Sequence, residues 1–416
     1  MSTPATINDS AATAAARVEL DALKARAEIF HGESEILERL SKGRRLRVKL
    51  GVDPTRPDLT YGHMVVLNKL RQFQDAGHKA ILIIGDFTTR IGDPSGRSST
   101  RPVLTAEEIE ANAATYLQQA AKILDTNPDR LEIRRNSEWF GKMSFLDALS
   151  LSRQMTVARM LERDDFAKRH ASGTPISIIE FLYPLLQGRD SVEIQSDIEL
   201  GGSDQVFNML VGRQLQKDAG QPEQAVLAMP LLVGLDGERK MSKSYGNYIA
   251  LNHDAKDMFG RVMSIPDATM WIYYRLLLEK SDAELAELQK LHPMEAKKHL
   301  AATLTARFHG EEAGAREREQ FEKVFSRKEM RDDIPGFSLG ALLPDAMPPD
   351  GHALVDALAA SGFFKSKNEI RRLIGQGAVK LDGTAMNNPA HRLPSPFPAA
   401  GITVQAGKRT FLKLLP

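Results

Sequence analysis

The chain has 416 residues, 42% of them hydrophobic and 26% charged, with a formal net charge of +1 and no cysteine. That length exceeds a single compact core and predicts two or three domains of ordinary soluble composition. A disulfide framework and a thiolate zinc site are excluded, in keeping with a reducing cytosol. Residues 1–16 lack the basic start and apolar core of a secretory signal and read as a disordered tail. No run approaches the ~18 apolar residues of a membrane span. The longest, Ala80 to Ile84, has strand length.

Residues 46–52 alternate weakly and predict a strand, with Gly51 near its end. A Pro-rich loop from Asp53 to Leu59 leads into a helix over about Thr60 to Ala76, with Val66, Leu70 and Phe73 on one face and Gly77 closing it. The apolar run at 79–85 fits a parallel strand covered on both sides, so these pieces make a βαβ unit with a right-handed crossover. Gly92-Asp93-Pro94-Ser95-Gly96 is a loop beyond that strand. Residues 106–124 and 144–170 are helical by pattern. A strand over 192–200 runs into Gly201-Gly202-Ser203-Asp204-Gln205, and a helix carrying Phe207, Leu210, Val211 and Leu215 follows. The strand at 226–233 leads through an Asp236-Gly237 turn to Lys240-Met241-Ser242-Lys243-Ser244.

This alternation predicts a doubly wound, parallel-sheet (Rossmann-like) α/β domain over 36–250, after a tail and leading helix over 1–35. Ligands in such sheets bind beyond the strand carboxyl ends, where every loop named above falls. Residues 251–331 are helical and highly charged, and 332–350 form a linker marked by Pro335, Pro344, Pro348 and Pro349. The last segment, 351–416, reads as a small α+β domain. In it, Ser366-Lys367-Asn368-Glu369 is a capping box before a helix with Ile370, Leu373 and Ile374 inward, and strand-like runs lie near 378–381 and 402–414.

Activating a carboxylate with ATP requires donors on the phosphates, a floor for adenosine and a pocket that aligns the acid with the α-phosphorus. Lys240 and Lys243, three apart in a polar loop, suit a cationic clamp on phosphates. Gly62-His63 at a helix start offers amides and an imidazole to anionic oxygens, and Gly62 lets a ring lie on the backbone. Each feature alone also has a plain structural reading. Gly62 could serve packing, Asp53-Pro54-Thr55 and Asp93 could be turn residues, and Asp204 could be a helix N-cap. Their order and spacing on sheet-end loops carry the inference.

That ordered set resembles the bacterial tyrosyl-tRNA synthetases, in VKLGVDPTRPDLTYGH, GDFTTRIGDPSGR, EFLYPLLQGRDS, ELGGSDQVFN and GERKMSKS, from about residue 36 to the end. The resemblance implies formation of tyrosyl-adenylate from tyrosine and ATP with magnesium, then transfer to tRNA-Tyr, with no protein metal cage. It places Gly51, Asp53, Thr55, Gly62, His63, Asp204 and Ser244 around ATP, with His63, Thr60, Lys240 and Lys243 serving catalysis. Lys49, Asp93, Tyr183, Gln187, Asp190 and Gln205 would hold tyrosine, with Asp190 at the phenol and Asp93, Tyr183 and Gln187 near the α-amino group. Tyr183, Gln187 and Asp190 also share one helix face by their spacing. A homodimer with its contact at about 130–190, and a cytoplasmic location, complete the implied picture.

The chain departs from the family at several positions. The first motif reads Thr60-Tyr61-Gly62-His63, with threonine where histidine is usual. Arg189 precedes the pocket aspartate, Ile179 precedes Glu180, and Lys49 stands where some members have tyrosine. Read as a cluster of changes at the site, these keep open a specialised second copy, a weakened adenylation step or a synthetase-fold RNA-binding protein, and the tryptophan enzyme remains the sister alternative. From residue 354 onward, nine basic residues (Lys365, Lys367, Arg371, Arg372, Lys380, Arg392, Lys408, Arg409 and Lys413) stand against three acids, leaving +6, which suits a phosphate backbone. SKNEIRRLIGQGAVKLDG resembles the S4 RNA-binding module, and the helical segment resembles an anticodon-arm domain.

Overall fold

The computed structural model describes residues 5–93, 104–326, 334–343, 348–407 and 410–416. Contacts divide the chain into two compact units, Met1–Arg318 and Glu319–Pro416, so the helical segment as far as Arg318 falls in the same unit as the large sheet. The expected tail is not a coil where it is described: Ala5–Lys24 is a helix whose Ala16, Leu20 and Leu23 are buried. Alanine-rich sequence favours a helix once one stripe has something to pack against. Among the described residues no helix is long and apolar enough to cross a membrane.

The first unit is built on six strands: β1 Ile29–His31, β2 Arg47–Val52, β3 Lys79–Ile84, β4 Leu131–Arg135, β5 Ile198–Gly202 and β6 Ala225–Met229. Their order is β1-β6-β5-β2-β3-β4, with β1 antiparallel to β6 and the other pairs parallel. The direction of winding reverses between β2 and β5, which opens a crevice at their carboxyl ends. β1 and β4 were not legible as strands, being respectively three residues long and strongly charged.

Two expected strands change extent. Residues 192–194 belong to the helix Ile178–Ile194, and β5 begins at Ile198. The alternation of Val192 and Ile194 reflects burial, Val192 among neighbouring helices and Ile194 against Ile81 and Ile83 of β3. The strand expected over 226–233 ends at Met229, before Pro230, which lacks a backbone donor. Helices Ile178–Ile194 and Val206–Asp218 approach closely where Gly188 meets Gly212: a Cβ on Gly188 would lie 3.0 Å from the Gly212 nitrogen.

The second unit carries a five-stranded sheet, β7 Gly336–Ser338, β8 Val379–Leu381, β9 Thr384–Met386, β10 Ile402–Ala406 and β11 Thr410–Leu415, ordered β7-β11-β10-β8-β9. The run expected at 402–414 is therefore an antiparallel pair of strands. Ile370 and Ile374 of the helix Lys367–Gly375 are buried in the core as expected, and Leu373 packs partly against it. Ser366 caps that helix by accepting from Glu369 N at 3.2 Å, while the Glu369 carboxylate reaches back to Lys365 N at 2.9 Å. Lys408 and Arg409, Pro94 to Gly96, and part of the expected linker including Pro344 lie outside the described residues.

Candidate active site

Beyond the carboxyl ends of the parallel strands lies a cleft of about 960 Å³. Gly51 lies near the end of β2 and Asp53 and Thr55 follow it, Asp93 follows β3, Asp204 and Gln205 follow β5, and Lys240, Lys243 and Ser244 come from the loop beyond β6; all line it. Thr60, Gly62 and His63 enter from the start of the helix Tyr61–Asp75, and Tyr183, Gln187 and Asp190 from the helix Ile178–Ile194. His63 and Asp190 thus share one cavity. A Cβ at Gly51 would meet nothing within 4 Å, and at Gly62 it would make only ordinary contacts, with the Thr60 hydroxyl at 3.4 Å and Met241 at 3.9 Å. Neither glycine is demanded by the packing of the protein, and both leave backbone bare on the cleft wall.

Thr60 is buried, and its N–H donates to His63 Nδ1 at 3.1 Å while its hydroxyl lies 2.9 Å from the same nitrogen. Accepting at Nδ1 places the imidazole proton on Nε2. Burial, with a smaller push from the Lys243 charge, lowers His63 to about 3, so the ring is a neutral donor at physiological pH.

The lysine loop is folded around Asn247, whose Oδ1 accepts from Ser242 N at 2.9 Å and whose amide donates to Asp236 Oδ2 at 3.0 Å. Lys240 pairs with Asp204 at 2.8 Å, and Lys243 lies over the Tyr116 ring, 5.4 Å from its centroid. Both contacts are part-buried.

The opposite end of the cleft holds two carboxylates joined by neutral groups. Tyr183 Oη donates to Asp53 Oδ2 at 2.9 Å, and Thr88 Oγ1 donates to Asp53 Oδ1 at 2.8 Å. Asn136, fully buried after β4, donates to Thr88 Oγ1 at 3.0 Å and comes within 3.5 Å of Asp190 Oδ2. Trp139 Nε1 donates to Asp190 Oδ1 at 3.0 Å. Burial pushes the Asp190 carboxyl up to about 7, against the opposing pull of Lys49, Trp139 and Asn136. Burial and Asp53 together raise the Tyr183 phenol well above its usual range, keeping it a donor. Asn136 and Trp139 carried no recognisable signal, since each is an ordinary residue in a loop or first turn, and Thr88 was legible only as part of the segment GDFTTRIGDPSGR. Gly85 carried one: a Cβ there would fall 2.1 Å from Asp53 Oδ1.

Lys49 is a correction. It does not line the cleft but lies fully buried beneath it, donating to Glu199 Oε1 at 2.9 Å, Ser191 Oγ at 2.7 Å and the Gln187 carbonyl at 2.8 Å. All three ammonium hydrogens are thereby committed. The departures at Arg189 and Ile179 also lie off the site. Arg189 pairs with Glu193 on the outer helix face, about 100° round from Asp190, and Ile179, one turn before Tyr183, is exposed and does not line the cleft. Only Thr60 alters the cleft itself. Among the described residues no group of three His, Cys, Asp or Glu side chains is placed to hold a metal ion.

The family model for class I tRNA synthetases (W and Y) matches residues 41–326, and the S4 domain matches 354–395. The tyrosine–tRNA ligase of Oleidesulfovibrio alaskensis is 50% identical over 392 residues, covering 93% of this chain and 96% of its own. That of Thermotoga maritima is 49% identical over 388 residues, covering 92% and 93% respectively. The chain belongs to the tyrosine–tRNA ligases. The solved Archaeoglobus fulgidus tyrosyl-tRNA synthetase complexed with L-tyrosine shares this fold, with a TM-score of 0.60 at 22% identity over 73% of this chain and 99% of its own. The tryptophan enzyme and the non-catalytic reading are not favoured for this synthetase, since these curated relatives are tyrosine ligases at half identity over nearly full length. In the S4 domain, Lys365, Lys367, Arg371 and Arg372 are all exposed around one helix, with Lys367 2.8 Å from Asp356.

Proposed function

We propose that this cleft carries both steps of tyrosine transfer, with tyrosine at the Asp190 end and ATP along Gly51, Gly62 and His63. The tyrosine carboxylate oxygen attacks the α-phosphorus, the bond to the β-phosphate oxygen breaks, and pyrophosphate leaves under Lys240 and Lys243. A hydroxyl of the terminal tRNA ribose then attacks the tyrosyl carbonyl and releases AMP. Magnesium enters with ATP as part of the substrate. The observation that carries this reading is the meeting of Asp190, His63 and both loop lysines on one cleft.

His63 donates from Nε2 to the phosphates, and Thr60 acts as its positioning partner rather than as a second charged donor. Asp53, Thr55, Asp204 and Ser244 border the nucleotide, and Asp93, Gln205, Tyr183 and Gln187 border the ammonium end of tyrosine. Exchange of labelled pyrophosphate into ATP should depend on tyrosine and not on tryptophan. Lys243→Ala should slow it about a hundredfold, with tyrosine binding retained. Exchange with tryptophan alone, or none with any amino acid, would overturn the reading.

The same reading includes a cytoplasmic homodimer joined through residues 130–190. Support comes from Phe145, Leu146, Val157 and Ile178, exposed at 80%, 70%, 61% and 81%, an unusual density of bare apolar side chains for one segment. Placing a charge there with Leu146→Asp should shift the protein from dimer to monomer in light scattering. A wild-type monomer, or an unshifted variant, would remove this surface from the contact. Lys365, Lys367, Arg371 and Arg372 would meet the tRNA backbone, the S4 match and their exposure supporting the assignment.

A further inference from the structure

Behind the ammonium end of the cleft, a chain of amides runs from a guanidinium to two carboxylates. Arg163 Nη1 donates to Asn208 Oδ1 at 3.0 Å, and Asn208 Nδ2 donates to Gln187 Oε1 at 3.0 Å and Gln205 Oε1 at 3.1 Å. Gln187 Nε2 in turn donates to Glu199 Oε1 at 3.0 Å, and Gln205 Nε2 to Asp93 Oδ2 at 2.9 Å. We infer that Arg163 and Asn208 are positioning residues that fix which way Gln187 and Gln205 face, and so hold the Asp93 carboxylate toward the ammonium group of tyrosine.

The argument is one of polarity. An isolated amide can be turned over with little change in shape. This relay cannot, because it is bounded by groups of one sense only. A guanidinium has donors and no acceptor, and an ionised carboxylate has acceptors and no donor. With Arg163 at one end and Asp93 and Glu199 at the other, a single set of orientations satisfies every bond. Reversing Asn208 would set its NH2 against Arg163 and its oxygen against two glutamine oxygens. Asn208 and Arg163 are 1% and 7% exposed, so no solvent is at hand to repair such a mismatch. Arg163 is itself held by Asp165 at 2.7 Å and lies over the Phe166 ring. The close approach at Gly188 and Gly212 brings the two helices near enough for Asn208 to reach Gln187.

The inference rests on the proposed placement of the tyrosine ammonium beside Asp93, and the test separates the two. Asn208→Asp keeps the side-chain volume and removes the donor. Tyrosine-dependent pyrophosphate exchange should show the KM for tyrosine raised about ten- to hundredfold, with the KM for ATP unchanged. Inhibition by 3-(4-hydroxyphenyl)propionate, which is tyrosine without its ammonium, should be unaffected. Arg163→Met, which leaves the amide in place, should move the same two readouts apart, and Arg163→Lys should restore most of the loss. Equal weakening toward tyrosine and the ammonium-free analogue would overturn the relay, since a merely structural role predicts it. If Asp93→Asn abolishes the discrimination while Asn208→Asp does not, the relay alone fails. If neither variant alters it, the ammonium placement fails and takes the relay with it.

Discussion

Asp190→Asn should cut tyrosine-dependent pyrophosphate exchange by about a hundred- to a thousandfold and erase most of the discrimination against phenylalanine. The side chain is 4% exposed, and its donors within the protein are Trp139 at 3.0 Å and the more distant Asn136 at 3.5 Å. A phenol hydroxyl supplies what such a buried carboxylate lacks, whereas phenylalanine leaves it short of a donor. An asparagine meets the phenol with a weaker acceptor or with its own N–H. The pH dependence follows from the direction of the shift. Burial raises the carboxyl to about 7, so the acceptor is progressively protonated as pH falls below neutrality. The KM for tyrosine should therefore rise between pH 8 and pH 6, and that limb should vanish in Asp190→Asn. Stability runs the other way. A carboxyl whose folded value exceeds its unfolded value of 3.8 contributes stability that is complete below the unfolded value and lost as pH rises through about 7. Thermal denaturation of the ligand-free protein should show this loss, and Asp190→Asn should diminish it. A KM profile identical in wild type and variant would end the assignment of Asp190 to the phenol.

Lys49→Met should destabilise the first unit by about 3–5 kcal/mol, read from urea denaturation. Lys49 and Glu199 are 0% and 1% exposed, and their 2.9 Å contact crosses from β2 to β5 at the point where the winding reverses. Removing only the ammonium leaves the Glu199 carboxylate buried beside Gln187, Ser191 and Gln224, which donate to it but carry no charge. The cost lies in the uncompensated charge, so adding Glu199→Gln should recover part of it. Lys49 also pulls Asp190 down, and its loss should move the pH limb of tyrosine binding upward. A Lys49→Met variant of wild-type stability but weak tyrosine affinity would return Lys49 to the role of a direct ligand.

Residue chemistry and spacing along the chain were enough to mark the loops that meet on the cleft. Turn residues, glycines and lysines cannot be placed at successive strand ends without declaring where the backbone opens, and period-3.6 spacing put Tyr183, Gln187 and Asp190 on one face. The same spacing would have set Arg189 aside, whereas Ile179 falls four residues before Tyr183 on the same face, and only its exposure a turn before the cleft takes it off the site. Lys49 was misread because a strand residue near the site can point into the cleft or beneath it, and only the pleat and register of β2 against β5 decide.

What the sequence by itself determined is the set of chemical groups and the family to which their order belongs. What only the tertiary structure decided is how those groups face one another: Asn136 linking Asp53 to Asp190 through Thr88, and Arg163 giving a direction to the amides behind Asp93. The physical reason is that hydrogen bonding in a buried site has a sense as well as a length. That sense is settled by partners tens of residues away, which local pattern cannot identify.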